Sequence, residues 1–344
     1  MKRPVLIGLA AVVVAAAAVL AVVTLSKKGS TPTELTKLSL RLQWVPQSQF
    51  CGFIVAKQKD FYKDASLDVE LRPAGPDLKP QVTVAVGTDD IGIGVANHVI
   101  GARSNGVPLV AIAQIFQDSP NRYVLKAENR IGDLRDLRGK KIGLWLGGDE
   151  AEFISMLATV GMTLSDLTVI PQEFSVIPFL QDEYILSQVT VYNELNLIRA
   201  QGYKDDKLQV LSPKDYDSAI LGDVILTTEN YLRNNLQTVT AFLEASLRGW
   251  RYCLDHPDEA VRVVVAYNPE LEEEDQRLQL KAALSLLTSG AALEHGLGYL
   301  DVADYAIAER VLFKSAQITT HVDPKTSIDL SAWHGVSSTV KRID

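Results

Sequence analysis

Four short clusters in this chain of 344 residues carry side chains suited to holding a flat polar ring. The first is Trp44, Gln47, Gln49 and Phe50, in a segment broken by Pro46. An indole face stacks well on a heteroaromatic ring. Each glutamine sets a donor beside an acceptor, as the edge of such a ring does. The plainer roles are a core tryptophan and solvated loop amides. The second cluster is Asn97, just past an apolar run at residues 91–95. The third is Trp145, Gly147, Gly148, Asp149 and Glu150. Two glycines let a backbone approach a ligand, and free N–H groups at a following helix start bind polar edges or anions. The plainer reading is a strand-to-helix turn capped by Asp149. The fourth is Tyr192, Asn193 and Glu194. Tyr192 can stack or hydrogen-bond, Asn193 can cap a helix, and Glu194 accepts strongly from ring N–H or amino groups. A solvated acid at a helix start is the alternative for Glu194.

Catalytic and metal chemistry find little material. Cys51 and Cys253 are the two cysteines, with no CxxC spacing, and they pair only if the fold brings them together. His98, His256, His295, His321 and His334 are scattered, with no serine or carboxylate pattern around them. No lysine follows the Gly147–Gly148 pair, so it is not a phosphate-binding loop of the nucleotide-hydrolase kind. The net charge of −8 disfavours a phosphate-backbone partner. These observations point to a binding protein, not an enzyme, with no metal, no cofactor and no nucleic acid.

The elements that must position these clusters alternate. Residues 38–42 and 67–71 alternate with period two, as half-buried strands do. Residues 91–95, 109–113, 141–145, 167–170 and 188–191 continue a strand series, with helical patterns between. Such alternation predicts an α/β fold with largely parallel sheets. Residues 230–253 read as one long amphipathic helix, and three more helices follow from Pro257, Glu272 and Val302. The paired acids Asp89 and Asp90 read as a solvated turn.

The N-terminus reads as an export signal. Lys2 and Arg3 precede an apolar run at residues 4–25, long enough to span a bilayer. A signal anchor over residues 1–26 is expected, a cleaved signal peptide being the alternative. No cysteine ends the run, which argues against a lipid anchor. Residues 27–36 are rich in Ser, Thr, Gly and Pro and read as a tether.

Several segments together resemble a known family. The opening Gln43-Trp44-Val45-Pro46-Gln47-Ser48-Gln49-Phe50 and the loop Trp145-Leu146-Gly147-Gly148-Asp149-Glu150 carry the likeness. Gly139 to Gly143, Val191-Tyr192-Asn193-Glu194, Gly249-Trp250 and His256-Pro257 continue it in order. The chain resembles the thiamine-pyrimidine-synthase-like (NMT1-type) solute-binding proteins of ABC importers over about residues 38–336, and its opening looks most like the riboflavin-binding branch. Lys59-Asp60 and Ala65-Ser66 depart from the pattern, standing where the family commonly has a glycine second.

The resemblance implies a two-lobed, type 2 periplasmic-binding-protein fold. Residues 37–122 and 224–344 would form one lobe and 123–223 the other, with chain crossings near 121–124 and 221–225. The ligand would be riboflavin, as cargo rather than cofactor, or else a thiamine-type aminopyrimidine. The four clusters would line the cleft. A membrane permease would be the partner of a monomeric receptor on the extracytoplasmic face of the cell membrane, or periplasmic or secreted after cleavage. The family's enzymes use a cysteine-rich iron motif, which two distant cysteines do not supply.

Overall fold

Two five-stranded sheets organise the computed structural model, which describes residues 34–75, 78–173 and 175–343. The first sheet begins with β1 (Thr36–Arg41), β2 (Leu67–Arg72), β3 (Ile91–Gly94) and β4 (Leu109–Gln114). The second holds β5 (Asn121–Lys126), β6 (Lys141–Leu144), β7 (Thr168–Pro171), β8 (Leu186–Thr190) and β9 (Leu208–Leu211). The chain then returns to the first sheet as β10 (Val224–Thr228). Strand orders are β2-β1-β3-β10-β4 and β7-β6-β8-β5-β9.

Each sheet is parallel on one side and antiparallel on the other. β1 runs parallel to β2 and β3, and β6 parallel to β7 and β8. The strand that enters each sheet after a crossing, β5 or β10, lies antiparallel to both its neighbours. The crossings occupy residues 115–120 and 212–223. The first therefore ends before residues 121–124, which are strand. Tyr123, Val124 and Leu125 are fully buried, and their backbone groups pair with β8 and β9.

The first sheet is covered by the helix Cys51–Gln58, whose first six residues are all buried. It packs on the helix Leu236–Asp255, preceded by a separate short helix, Glu229–Asn234. The expected single helix thus breaks at Asn235. The two long helices approach closely because of glycine. A methyl group on Gly249 would stand 2.0 Å from the Gly52 carbonyl oxygen. Next to this contact Cys51 and Cys253 meet as two buried thiols, Sγ to Sγ 2.9 Å. Asp89 is buried rather than solvated: Arg41 and Arg72 both bond its carboxylate, tying β1 and β2 together.

At Asp60 and Ser66 the chain makes left-handed turns, φ +59° and +61°, without glycine. The expected anchor and most of the tether lie outside the described residues. Among the described residues no helix is long and apolar enough to cross a membrane.

Candidate functional site

The parallel strands of both sheets end at one cavity of about 500 Å³. Ligands gather at such carboxyl ends, where strand order reverses. From β1 come Gln43 and Trp44, followed by Gln47 and Gln49 in the turn Ser48–Phe50. Asn97 and His98 sit in the first turn after β3. From the second sheet come Trp145, Gly148 and Asp149 after β6, and Tyr192, Asn193 and Glu194 after β8. The first residue of β5 adds Asn121, the second crossing adds Asp223, and the helix Ala151–Thr159 adds Glu152.

Three expected residues stand elsewhere. Phe50 is fully buried in the core, because the 3-10 turn that points Gln49 at the cavity sends its neighbour inward. Gly147 is outside the lining, on the exposed side of the loop. Glu150 also lies outside it. Its Oε2 accepts from Gly148 N at 2.8 Å, so the side chain folds back on its own loop. The helix after this loop begins at Ala151 and Asp149 does not cap it. Gln188 of β8 fixes the loop instead: its Oε1 accepts from Trp145 N at 3.1 Å and its Nε2 donates to Asp149 O at 2.9 Å.

Gln47 and Gln49 line the cavity, but their amides form a directed chain. Gln49 N donates to Gln279 Oε1 at 2.9 Å. That backbone donor fixes which way the Gln279 amide points. Gln279 Nε2 then donates to Gln47 Oε1 at 3.3 Å, and Gln47 Nε2 to Gln49 Oε1 at 3.0 Å. Gln49 Nε2 is left to donate to the Asp223 carboxyl, at 3.1 Å to Oδ1 and 2.9 Å to Oδ2. Glu194 is similarly occupied. Thr190 N and Oγ1 donate to its Oε2 at 2.9 and 2.7 Å, and Asn193 Nδ2 to its Oε1 at 2.8 Å.

The electrostatics are acidic and partly neutralised. Asp149, Glu152, Glu194 and Asp223 line the cavity, and Lys79 is the one lysine or arginine among the described lining residues. Burial raises the Asp223 carboxyl to about 8, against the smaller opposing effect of its Gln49 bond. Burial also raises Glu152 to about 7, although Ile220 N and Asn121 Nδ2 donate to it. Burial and the charge of Lys79 push His98 down to about 4, so its ring is neutral at pH 7. Trp145 Nε1, Asn97 Oδ1 and Gln43 Oε1 are buried with no hydrogen-bond partner among the described residues. The cavity therefore offers indole and phenol faces, uncharged donors and acceptors, and a wall rich in carboxyls. No group of three or more His, Cys, Asp or Glu among the described residues is placed to hold a metal ion.

Glu152 and Asp223 escaped the sequence reading. The available signal was an acid inside an apolar stretch. Glu152 stands in Ala-Glu-Phe-Ile, and Asp223 in Gly-Asp-Val-Ile-Leu.

Comparison with known proteins places the chain. Residues 47–260 match the family described as NMT1/THI5 like. The chain is 26% identical over 298 residues to the riboflavin-binding protein RibY of Chloroflexus aurantiacus, covering 84% of each. It is 23% identical over 243 residues to the formylaminopyrimidine-binding protein of Halalkalibacterium halodurans, covering 69% of this chain and 72% of that one. It is 23% identical over 261 residues to the 4-amino-5-hydroxymethyl-2-methylpyrimidine phosphate synthase THI11 of Saccharomyces cerevisiae, with 69% and 73% covered. Among solved structures, the periplasmic aliphatic sulphonate binding protein SsuA of Escherichia coli superposes with TM-score 0.64 at 14% identity, covering 85% of this chain and 92% of that one. The periplasmic nitrate-binding protein NrtA of Synechocystis PCC 6803 gives 0.65 at 13%, covering 90% and 93%. The fold is thus an α/β periplasmic-binding-protein fold with two sheets.

Proposed function

The chain belongs to the NMT1/THI5-like family, and on that premise we propose that it is the extracytoplasmic substrate-binding component of an ABC importer that captures riboflavin and delivers it to a membrane permease. The observation that carries this reading is the cavity: about 500 Å³, with Trp44, Trp145 and Tyr192 on its walls and one lysine against four carboxyls. Its size suits a tricyclic ring with a polyhydroxyl chain and exceeds what a single pyrimidine fills. The relative named for riboflavin binding supports the same ligand.

In this reading residues 37–120 with 224–344 form one lobe and 121–223 the other, the first boundary moved from 122 because Asn121 and Arg122 pair with β8, and the lobes close on the ligand by hinging at the two crossings. Residues 1–26 export and anchor a monomeric receptor, and 27–36 tether it. Trp44, Trp145 and Tyr192 bound the ring, while Asn97, Gly148, Asp149, Asn193 and Glu194 serve its polar groups. Gln47 and Gln49 act mainly through Asp223.

A thiamine-type aminopyrimidine is the second reading. The acidic wall favours it, since an amino group beside a protonated ring nitrogen donates twice, and a relative is named for binding a formylaminopyrimidine. A synthase role is disfavoured by the same wall. The product named for the yeast relative is a phosphate, and the described cavity lining offers one lysine and no arginine to hold it.

Calorimetric titration with riboflavin, its 5′-phosphate and the aminopyrimidine tests the reading. It predicts saturable riboflavin binding and at least about tenfold weaker binding of the phosphate. Binding of aminopyrimidine without riboflavin supports the second reading. Preference for the phosphorylated ligand contradicts both.

A further inference from the structure

Asp223 has a peculiar place in the cleft. It lies on the second crossing, immediately before β10, and is 2% exposed. Its backbone is locked: its carbonyl accepts from Ile115 N at 2.8 Å, Phe116 N at 3.0 Å and Gln114 Nε2 at 3.2 Å. Its carboxyl faces the cavity, and the side-chain donor that reaches it is the neutral amide of Gln49. The polarity of that amide is set two residues back, through Gln47 and Gln279, by the backbone N–H of Gln49. The amide chain thus always presents a donor to Asp223. It supplies no charge to balance a carboxylate, and a buried carboxylate without a cation is costly.

We propose that Asp223 determines ligand specificity by presenting an uncharged carboxyl to the cleft, selecting heteroaromatic rings that carry an acceptor and an N–H donor on adjacent edge atoms. A neutral carboxyl sets one O–H donor beside one C=O acceptor. Its complement is the carbonyl and ring N–H of a pyrimidinedione, as in flavins, or the ring nitrogen and amino group of an aminopyrimidine. An edge of two acceptors, or one blocked by N-methylation, leaves a buried group unpaired. The inference rests on the cleft being the ligand site proposed above.

The test compares riboflavin and its N3-methyl analogue on the full-length protein and on two variants. Asn keeps one donor and one acceptor in nearly the shape of a neutral carboxyl, whereas Ala keeps neither. Asp223→Asn is expected to retain riboflavin affinity within about threefold, and Asp223→Ala to lose about 10- to 100-fold. On the native protein N3-methylation is expected to weaken binding at least about tenfold, and on Asp223→Ala to make little further difference. A purely structural role for Asp223 would not erase the methyl discrimination. If the variants fail to fold, the native protein's response to N3-methylation decides alone. Equal affinity for the two flavins overturns the inference. So does an Asp223→Asn protein as weak as Asp223→Ala, since that pattern marks a charged carboxylate. Failure to bind riboflavin at all moves the same series to the aminopyrimidine and its amino-methylated analogue. Failure there too overturns the binding reading and this inference together, whereas binding without edge discrimination overturns this inference alone.

Discussion

Asn97 Nδ2 donates to the Gly148 carbonyl oxygen at 3.2 Å, joining the turn after β3 to the turn after β6 across the cleft. The two residues belong to different sheets, so the bond forms only when the sheets' ends approach each other. The backbone at Gly148 allows it, since φ is +116° there. Nearby, the other face of the Asn97 amide, Oδ1, has no partner among the described residues. Asn97 thus combines a closure contact with a free acceptor on the cavity wall.

Replacing Asn97 with alanine is expected to speed ligand dissociation by about 3- to 10-fold, the loss of one or two modest hydrogen bonds. Association should change little, because encounter precedes closure. Stopped-flow release measures this directly. An unchanged release rate would remove the closure role.

Glu152 joins the start of β5 to the second crossing. Its Oε2 accepts from Asn121 Nδ2 at 2.7 Å and its Oε1 from Ile220 N at 2.6 Å. Alanine here leaves the buried Ile220 N and the half-buried Asn121 amide without this partner. Glu152→Ala is expected to lose about 2–4 kcal/mol in urea unfolding. A loss under about 0.5 kcal/mol would mean that β5 and the second crossing are held together by other contacts.

The same two buried acids set a pH dependence of stability. Glu152 stands at about 7 and Asp223 at about 8, both raised chiefly by burial. Between the ordinary carboxyl range and those values the native state holds protons that the unfolded chain has released. Rising pH therefore favours unfolding, and the contribution of each group is lost as pH passes its native value. His98, lowered from 6.5 to about 4, acts the opposite way below pH 6.5. The clean window is pH 6.5 to 8.5, where the ligand-free protein's Tm is expected to fall with pH. The fall should be shallower in Asp223→Asn. A flat or rising profile would show that Asp223 ionises normally.

Ser66 occupies a left-handed turn at φ +61° with its side chain exposed. Such a conformation costs an L-residue about 1–2 kcal/mol and glycine almost nothing. Part of that gain is offset by the extra freedom of glycine in the unfolded chain. Ser66→Gly is expected to stabilise the protein by about 0.5–1 kcal/mol. A loss would mean that the serine hydroxyl supplies a compensating bond. This turn is one place where the sequence itself raised the question, because glycine is common there in the family that the chain resembles.

Legibility followed the range of the interactions. β1, β2, β3, β4 and β6 announce themselves by local alternation or apolar runs, so their positions can be read within a residue or two. β5 and β10 are apolar too, but they read as connections. Their antiparallel pairing is with strands about 60 to 130 residues distant in sequence, and no local pattern reports it. At the cleft, residue type was a good guide and orientation was not. Gln47 and Gln49 were legible as amides near the site, yet their shared partner Gln279 lies more than 220 residues away. Phe50 resembled its neighbours in the motif but turned inward, because adjacent positions of a tight turn face different ways. Glu152 and Asp223 stayed hidden for a related reason. An acid is ordinarily read as solvated, and only the packed structure shows that these two are not.

The central claim is that a flat ring is held in this cleft against Trp44. Titrating riboflavin with the purified protein and following flavin fluorescence tests it most directly, with Trp44→Ala as the comparison. Saturable quenching that weakens at least about tenfold in the variant is the expected result, since an indole stack is among the strongest ways to hold and quench a flavin. Quenching that is unchanged in Trp44→Ala, or no saturable response from the native protein, would contradict the account.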